Sequence, residues 1–192
     1  MAKKIVIVGV GALGSHLALF ARNLGDLKVV DMDKIESKNI LSQFHTVMGK
    51  GQNKATALKQ AFQGLFNIKL DINTNKLTYE NVAALLGMAD LVIDCTDNAE
   101  ARRVIRDFVR PTHIPCLHGA LSANGDFARI VWDEHFVADE EGAPGQATCE
   151  DGANLPFHGL AAANLAVVVQ TYLKTGKKIS LQVMPNAVVR LA

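Results

Sequence analysis

Short apolar runs alternate with longer amphipathic segments along the first two thirds of the chain. The apolar run at residues 5–8 predicts a buried strand, and further strands are predicted at 27–30, 68–73, 91–94 and 115–117. Helical periodicity lies between these runs, after the first strand and at 55–66, 80–86 and 99–109. Strands that alternate with helices are typical of a doubly wound parallel sheet.

The pattern changes after residue 127. Residues 128–132 are strand-like, an acidic loop with glycine and proline follows, and residues 157–175 predict a long helix. Extended segments near 179–183 and 188–191 complete the pattern. We therefore expect an α/β fold with a Rossmann-like, doubly wound, mostly parallel sheet and a C-terminal antiparallel extension. The length of 192 residues favours a single domain over 1–192.

Three glycines follow the first strand at G-x-G-x-x-G spacing, at Gly9, Gly11 and Gly14. Such a loop lets the backbone approach a phosphate, and the amides and dipole of the next helix favour negative charge there. The second strand ends at Asp31, which follows Gly9 by 31 − 9 = 22 residues, close to the spacing of a ribose-binding acid. This order predicts a nucleotide-binding unit, and the alternative is a tight turn beside a packed helix.

Polar residues come directly after a later strand, where Asp94 is followed within four residues by Asp97 and Asn98. Gly9, Asp31 and Asp94 would all stand at the carboxyl ends of parallel strands, where such sheets bind ligands. Oxygen ligands beside a nucleotide suggest magnesium, for which one carboxylate such as Asp97 suffices together with substrate phosphates. The alternative is an N-cap for the following helix, and capping does not exclude ligation.

Composition and cysteine usage narrow the class of protein. The formal net charge of +1, without a basic cluster, gives no reason to expect a nucleic-acid or membrane partner. Cys95, Cys116 and Cys149 are odd in number and form no C-x-x-C pair, so neither a disulfide framework nor a zinc site is predicted. No apolar segment is long enough to span a bilayer. We expect a soluble, cytoplasmic protein.

Together these residues resemble the ThiF/MoeB-type adenylating enzymes, also called ubiquitin-activating-enzyme-like proteins. The resemblance extends over nearly the whole chain. It rests on the glycine loop at 9–15, Asp31, Asp33, Asn39, Gln43, Lys54, the D-C-T-D-N segment at 94–98, Gly119-Ala120 and Thr148-Cys149.

The resemblance implies ATP-dependent adenylation of the C-terminal carboxylate of a ubiquitin-like or sulfur-carrier protein that ends in Gly-Gly, with release of pyrophosphate. It implies ATP and Mg²⁺ as cofactors, and a homodimer or a partner adenylating subunit. By the same resemblance, Asp31 would hold the ribose, the loop from Gly9 to Gly14 the phosphates, Lys54 the triphosphate and Asp97 the magnesium. Asp33, Asn39, Gln43 and Asn98 would complete the nucleotide site.

Cys149 matches a cysteine that, in several relatives, receives the activated carrier as a thioester or takes part in sulfur transfer. The resemblance therefore implies a catalytic role for this thiol. Glu150 and Asp151 follow it directly, and neighbouring carboxylates disfavour the reactive thiolate. An inert loop thiol is the alternative for Cys149, whereas Cys95 and Cys116 are expected in the core.

Two departures from the family pattern leave other functions open. The loop usually reads Asn-Leu-x-Arg-Gln, but here Ser42 stands in place of the arginine, and serine carries no positive charge. An N-terminal extension with a second arginine is not expected, since the first predicted strand begins near residue 5. Lys38 or Lys50 would be local substitutes. The alternatives are a noncatalytic nucleotide-binding partner subunit and, explaining only the glycine loop and Asp31, an NAD-dependent oxidoreductase.

The histidines show no spacing typical of metal ligands. His118 and His158 stand where small residues are usual in the family. For both we expect packing or solvent exposure rather than contact with a substrate.

Overall fold

The chain folds into one mixed sheet with helices on both faces. The computed structural model describes residues 2–122, 124–137 and 152–191. Its strands are β1 (Lys4–Val8), β2 (Asp26–Val30), β3 (Asp71–Asn73), β4 (Leu91–Asp94), β5 (Cys116–Leu121), β6 (Ala128–Trp132), β7 (Leu181–Met184) and β8 (Ala187–Arg190). Its helices are α1 (Ala12–Ala21), α2 (Lys54–Phe66), α3 (Val82–Leu86), α4 (Ala99–Thr112) and α5 (Leu155–Thr175). Short 3-10 turns lie at Ser37–Leu41, Val47–Gly49 and Asp133–His135.

The strand order is β3-β2-β1-β4-β5-β6-β7-β8. Strands β1 to β5 pair in parallel, and β6, β7 and β8 add on as antiparallel strands. The chain order reverses beside β1, which pairs with β2 on one side and β4 on the other. Val8 is in register with Val30 and with Asp94. The ends of three strands therefore lie at the same level, where open parallel sheets bind ligands.

Alternating residues of each parallel strand face two separate cores. In β1, Ile5 and Ile7 pack into a core with α1, α2 and α5, while Val6 and Val8 pack into a second core with α3 and α4. Side chains of this kind each contribute about 1.5–3 kcal/mol when fully buried. The near-continuous apolar runs read from the sequence thus reflect burial on both faces of the sheet.

The antiparallel extension is anchored by Trp132 at the end of β6. Its indole nitrogen donates to the carbonyl of Ile179 at 3.2 Å, and its ring lies 4.6 Å from that of Tyr172 on α5. Helix α5 ends at Gly176, which has φ of +70° and donates its N–H to the carbonyl of Tyr172. A glycine suits this left-handed position because it carries no side chain.

The predicted fold class is confirmed, and the differences concern the lengths of elements. Strand β5 reaches Leu121 instead of residue 117, because its last residues pair with β6. Helix α4 continues through Pro111, which lies in its last turn, to Thr112. Within the described ranges, no helix combines the length and apolarity that a membrane span requires.

Candidate nucleotide-binding cleft

A cleft with a volume of about 1040 Å³ opens at the carboxyl ends of β1, β2, β4 and β5. It brings together residues that the sequence places far apart. Among the residues predicted for the site, its walls include Gly9, Gly11, Asp31, Asp33, Asn39, Gln43, Lys54, Asp97 and Asn98.

The glycines of the loop meet different steric demands. Gly9 has φ of +85°, and a Cβ there would lie 2.9 Å from the carbonyl oxygen of Cys95. A Cβ at Gly14 would lie 1.9 Å from the carbonyl oxygen of Gly9, so this glycine lets α1 pack against the loop. A Cβ at Gly11 would meet only the side-chain nitrogen of Gln43, at 3.9 Å. Gly11 therefore presents open backbone to the cleft, whereas Gly14 is buried in packing.

Asp31 joins the glycine loop to the end of β2. One carboxylate oxygen accepts the N–H of Val10 at 2.7 Å, and the other accepts the N–H of Asp33 at 2.8 Å. Burial raises the pKa of Asp31 above its usual value, and the Lys54 charge and these amides offset only part of that effect. Since each carboxylate oxygen has a second lone pair, Asp31 can still accept a hydroxyl from a ligand.

Lys54 begins α2 and is buried in the wall beside Asp31. Its ammonium group lies 3.2 Å from a carboxylate oxygen of Asp33, whose side chain is exposed. The preceding residue, Asn53, accepts the N–H of Thr56 and so caps α2. The amide of Asn53 also donates to the carbonyls of Asp31 and Asp33. The helix is thereby fastened to the end of β2, with its lysine at the cleft.

The turn at Ser37–Leu41 carries further predicted residues. The side-chain oxygen of Asn39 accepts the N–H of Glu36 at 2.9 Å, so Asn39 also shapes its own turn. Ser42 is completely buried, and neither its hydroxyl nor Oε1 of Gln43 has a hydrogen-bond partner among the described residues. Ser42 thus adds no charge to the cleft.

The buried His45 contacts the glycine loop. Its Nε2 donates to the carbonyl of Val10 at 3.0 Å. Burial lowers the pKa of His45 to about 4. The ring is therefore neutral at neutral pH, with the tautomer set by the carbonyl that it contacts.

The segment from Asp94 to Asn98 is held at both ends. One oxygen of Asp94 accepts from the N–H and the hydroxyl of Thr96, at 2.9 and 2.7 Å. Arg102 donates from Nε and Nη2 to the Thr96 carbonyl. Asn98 caps α4 by accepting the N–H of Ala101 at 2.7 Å. Between these fixed points, Asp97 is exposed on the cleft wall.

A sequence model described as the ThiF family matches residues 1–173. The chain belongs to the ThiF family. It is 28% identical over 180 residues to the adenylyltransferase and sulfurtransferase UBA4 of Meyerozyma guilliermondii, covering 85% of this chain and 41% of that protein. It is 31% identical over 121 residues to the sulfur carrier protein adenylyltransferase of Thermus thermophilus, covering 61% and 45%. This ThiF-family chain thus spans less than half the length of these two relatives.

Solved structures show the same fold. The crystal structure of E. coli MccB with MccA-N7isoASN superposes with a TM-score of 0.79 at 17% identity, covering 98% of this chain and 64% of that one. At that identity the likeness bears on the fold, and it agrees with the Rossmann-like assignment.

One polar residue of this ThiF-family chain was not predicted for the site. His118 on β5 is 3% exposed; its Nδ1 lies 2.8 Å from Asp94 and its Nε2 3.1 Å from Asp133. Burial alone would lower the pKa of His118, but the hydrogen bonds to Asp133 and Asp94 outweigh it and raise the pKa to about 11. The expectation of packing or solvent exposure missed this charged role. The partners stand 24 and 15 residues away in sequence, and only the unusual histidine in this family hinted at it.

The cysteines fall into two groups. Cys116 is buried, which raises the pKa of its thiol, as expected of a core residue. Cys95 was also expected in the core, but it is only partly buried: it packs against the core beside the glycine loop and also lines the cleft. Cys149 lies outside the described residues, so its implied role stays a prediction.

Proposed function

We propose that this chain binds ATP with Mg²⁺ and adenylates the C-terminal carboxylate of a ubiquitin-like or sulfur-carrier protein that ends in Gly-Gly. The observation that carries the proposal is the convergence of Gly11, Asp31, Lys54 and Asp97 on one cleft. The similarity to UBA4 of Meyerozyma guilliermondii and to the sulfur carrier protein adenylyltransferase of Thermus thermophilus, both adenylyltransferases, supports the same reaction class. We include in the proposal a single adenylation domain over residues 1–192, acting as a homodimer or with a partner adenylating subunit.

The glycine loop fits a polyphosphate. Among the described residues no side chain caps α1, and its first turn holds no acidic residue, so its amide groups are open to an anion. The open backbone at Gly11 adds room for close approach. Asp31, at the end of the neighbouring strand, would accept hydroxyls of the ribose.

Both reactants of an adenylation are anions, so orientation and positive charge are what the protein has to supply. Lys54 would approach the triphosphate from α2. Asp97 is an exposed carboxylate on the same wall, and hard oxygen donors of this kind suit Mg²⁺. When bound, Mg²⁺ would neutralise phosphate charge at the reacting centre. In this scheme the chain's own residues bind and orient, and none is required as an acid or base.

The positive charge that Ser42 does not provide has other sources on the walls. Lys38 lies on the cleft wall, whereas Lys50 is not among the described wall residues. Arg102 from α4 and Arg129 from β6 also line the cleft. We propose that these cations take the place of the usual arginine. The buried, uncharged Ser42 is the observation that favours a second candidate, a noncatalytic nucleotide-binding partner subunit.

Binding experiments separate these functions. Titration calorimetry of the chain with ATP and Mg²⁺, and separately with NAD, requires no knowledge of the carrier. We expect Mg²⁺-dependent binding of ATP that Asp97→Ala weakens strongly, while Asp26→Ala, an exposed carboxylate at the start of β2, binds like the parent. Binding of NAD in place of ATP would support the oxidoreductase.

Exchange of pyrophosphate into ATP, measured with a Gly-Gly carrier, tests the chemical step. The adenylating enzyme requires exchange in the parent chain and its loss in Asp97→Ala. Unchanged exchange in the variant contradicts the role of Asp97. Tight binding of ATP without exchange would favour the noncatalytic partner subunit.

A further inference from the structure

A charge network lies at one end of the cleft and consists of three buried side chains and one half-exposed one. The buried members are Asp94, His118 and Asp133, and the half-exposed member is Arg110. Each ring nitrogen of His118 faces a carboxylate oxygen, of Asp94 or of Asp133. Ionised carboxylates only accept hydrogen bonds, so both ring nitrogens must donate, as they do in an imidazolium. The ring of Phe136 stacks on that of His118 with centroids 3.8 Å apart and an interplanar angle of 7°. This stacking covers one face of the charged ring.

Arg110 closes the network at its outer end. Its Nε donates to the second oxygen of Asp133 at 2.8 Å, and its Nη2 donates to the carbonyls of Asp133 and Phe136. The charge network therefore alternates negative and positive groups from β4 through β5 and the end of β6 to α4. Attraction between neighbouring opposite charges offsets part of the cost of removing them from water. Buried ion pairs are nevertheless a weak source of stability compared with apolar packing. A structural role alone would not explain why four charged groups occupy this place.

The charged groups of the network lie beside the 94–98 segment, and this position accounts for them better. Asp94 uses one oxygen for His118 and the other for Thr96, so the ring of His118 fixes the carboxylate that shapes the turn before Asp97. Arg102 of α4 holds the Thr96 carbonyl from the other side, and Arg110 lies eight residues further along the same helix, about two turns. The 94–98 segment is thus clamped between β5 and α4.

We propose that His118 is a positioning residue, which fixes Asp94 and thereby the turn that presents the Asp97 carboxylate to Mg²⁺-ATP. The inference rests on the proposed function, because it assigns His118 to the metal side of that site. His118 lines the cleft but offers a ligand no hydrogen bond in this scheme, since Asp94 and Asp133 occupy both of its ring nitrogens. Replacing a residue that hydrogen-bonds to a metal ligand commonly changes metal affinity about 10- to 100-fold. His118 acts one residue further away, through Asp94, so we expect an effect at the lower end of this range.

The test compares His118→Gln with His113→Gln, a matched change at an exposed histidine that lies outside the cleft, at the end of α4. Calorimetry measures affinity for AMP without metal and for ATP with Mg²⁺, and circular dichroism checks the fold. For His118→Gln we expect about tenfold weaker binding of Mg²⁺-ATP with unchanged binding of AMP. His113→Gln should match the parent in both. Rescue is tested with His118→Lys, whose flexible ammonium keeps the charge but not the fixed positions of the two ring donors, and should recover only part of the loss.

Other outcomes overturn the inference. Equal losses of affinity for AMP and for Mg²⁺-ATP would mean general damage to the cleft. An unchanged affinity for Mg²⁺-ATP would mean that His118 serves stability alone. If His118→Gln does not fold, Arg110→Gln tests the same network from its half-exposed end. It should weaken Mg²⁺-ATP in the same direction by a smaller factor, and no effect there also overturns the inference. A parent chain without Mg²⁺-dependent binding would instead refute the proposed function itself.

Discussion

The two walls of the cleft are built by different means. On the wall at β1 and β2, the Asp31 carboxylate is satisfied by backbone amides of the adjoining loops. On the wall at β4 and β5, the Asp94 carboxylate depends on His118, which in turn depends on Asp133. In the first wall, the partners of the carboxylate are backbone groups of the loops next to β1 and β2. In the second wall, the partners are side chains that come from β4, β5, the turn after β6 and α4.

This difference has an energetic consequence. Backbone amides are present whatever the side chains are. Substitutions in the first wall should therefore cost little stability as long as the new side chain leaves these amides accessible to Asp31. In the second wall each charge is balanced by another buried charge, and removal of one leaves its partner without compensation. The second wall should therefore be the more sensitive to substitution of a single polar side chain.

The strongest test of this contrast removes an aspartate at either end of β4. Asp94→Ala leaves the buried His118 with Asp133 alone, and we expect a loss of about 3–5 kcal/mol in the free energy of unfolding. Asp90 precedes the same strand, is paired with Lys3 near the surface and accepts the N–H of Lys4. Asp90→Ala should cost about 1 kcal/mol or less. Urea denaturation measures both, and similar costs for the two changes would contradict the contrast.

The pH dependence of stability sharpens the comparison, since each wall contains one buried histidine with a shifted pKa. His45 on the first wall has its pKa lowered to about 4, so between pH 6.5 and 4 only the unfolded chain gains the proton. The free energy of unfolding should therefore fall as the pH falls through this window, by on the order of 3 kcal/mol. His45→Gln, which keeps an N–H donor for Val10, should flatten this acid limb.

His118 acts in the opposite direction. Its pKa is raised to about 11, so its contribution is fully present below pH 6.5 and is lost as the pH rises toward 11. His118→Gln should flatten the alkaline limb and leave the limb between pH 6.5 and 4 intact. Below pH 4 this variant also loses an interaction that lowers the pKa of Asp133, so the comparison is made above that pH. Denaturation curves at a series of pH values measure both limbs. If either variant changed the wrong limb, the assignment of charge to the two walls would be incorrect.

The glycine loop provides a third test, in which steric demand is separated from ligand approach. Gly14→Ala forces a methyl group against the carbonyl of Gly9, and we expect a loss of about 1–3 kcal/mol in the free energy of unfolding. Gly11→Ala meets no close neighbour and should cost less than about 1 kcal/mol. It should still weaken ATP binding, because the methyl group occupies the open backbone surface. Equal stability of the two variants would contradict the packing role of Gly14.

The same contrast explains how much of the molecule could be predicted from its sequence. Gly9, Gly11 and Asp31 could be predicted to lie together because a strand, a loop and an acid at fixed spacing determine their own local geometry, and all three line the cleft. The alternation of apolar runs and helical segments predicted the parallel sheet. The carboxyl ends of its strands then predicted the edge at which the cleft lies. These signals are short in sequence, and each has a local physical cause.

The second wall lacked such a signal. Nothing near His118 in sequence indicates that Asp94 and Asp133 will lie at its two nitrogens, because their meeting depends on the register between β4, β5 and β6. The same register decides the length of β5, which was predicted too short. The burial of Ser42 likewise follows from tertiary packing, whereas its lack of charge could be read directly.

The smallest expected effect concerns Asn98, where the capping and binding roles overlap. Asn98→Ala loses the cap of α4 and should cost about 1 kcal/mol of stability. Asn98→Ser keeps a side-chain oxygen for the N–H of Ala101 without adding a charge, so stability should be retained. It removes the amide donor that the family resemblance implies for nucleotide binding. Calorimetry on Asn98→Ser then separates the roles, because weaker ATP binding at unchanged stability and unchanged charge indicates a direct contact. Unchanged ATP binding in this variant would leave Asn98 as a helix cap, and Asp97 as the residue through which the second wall meets the nucleotide.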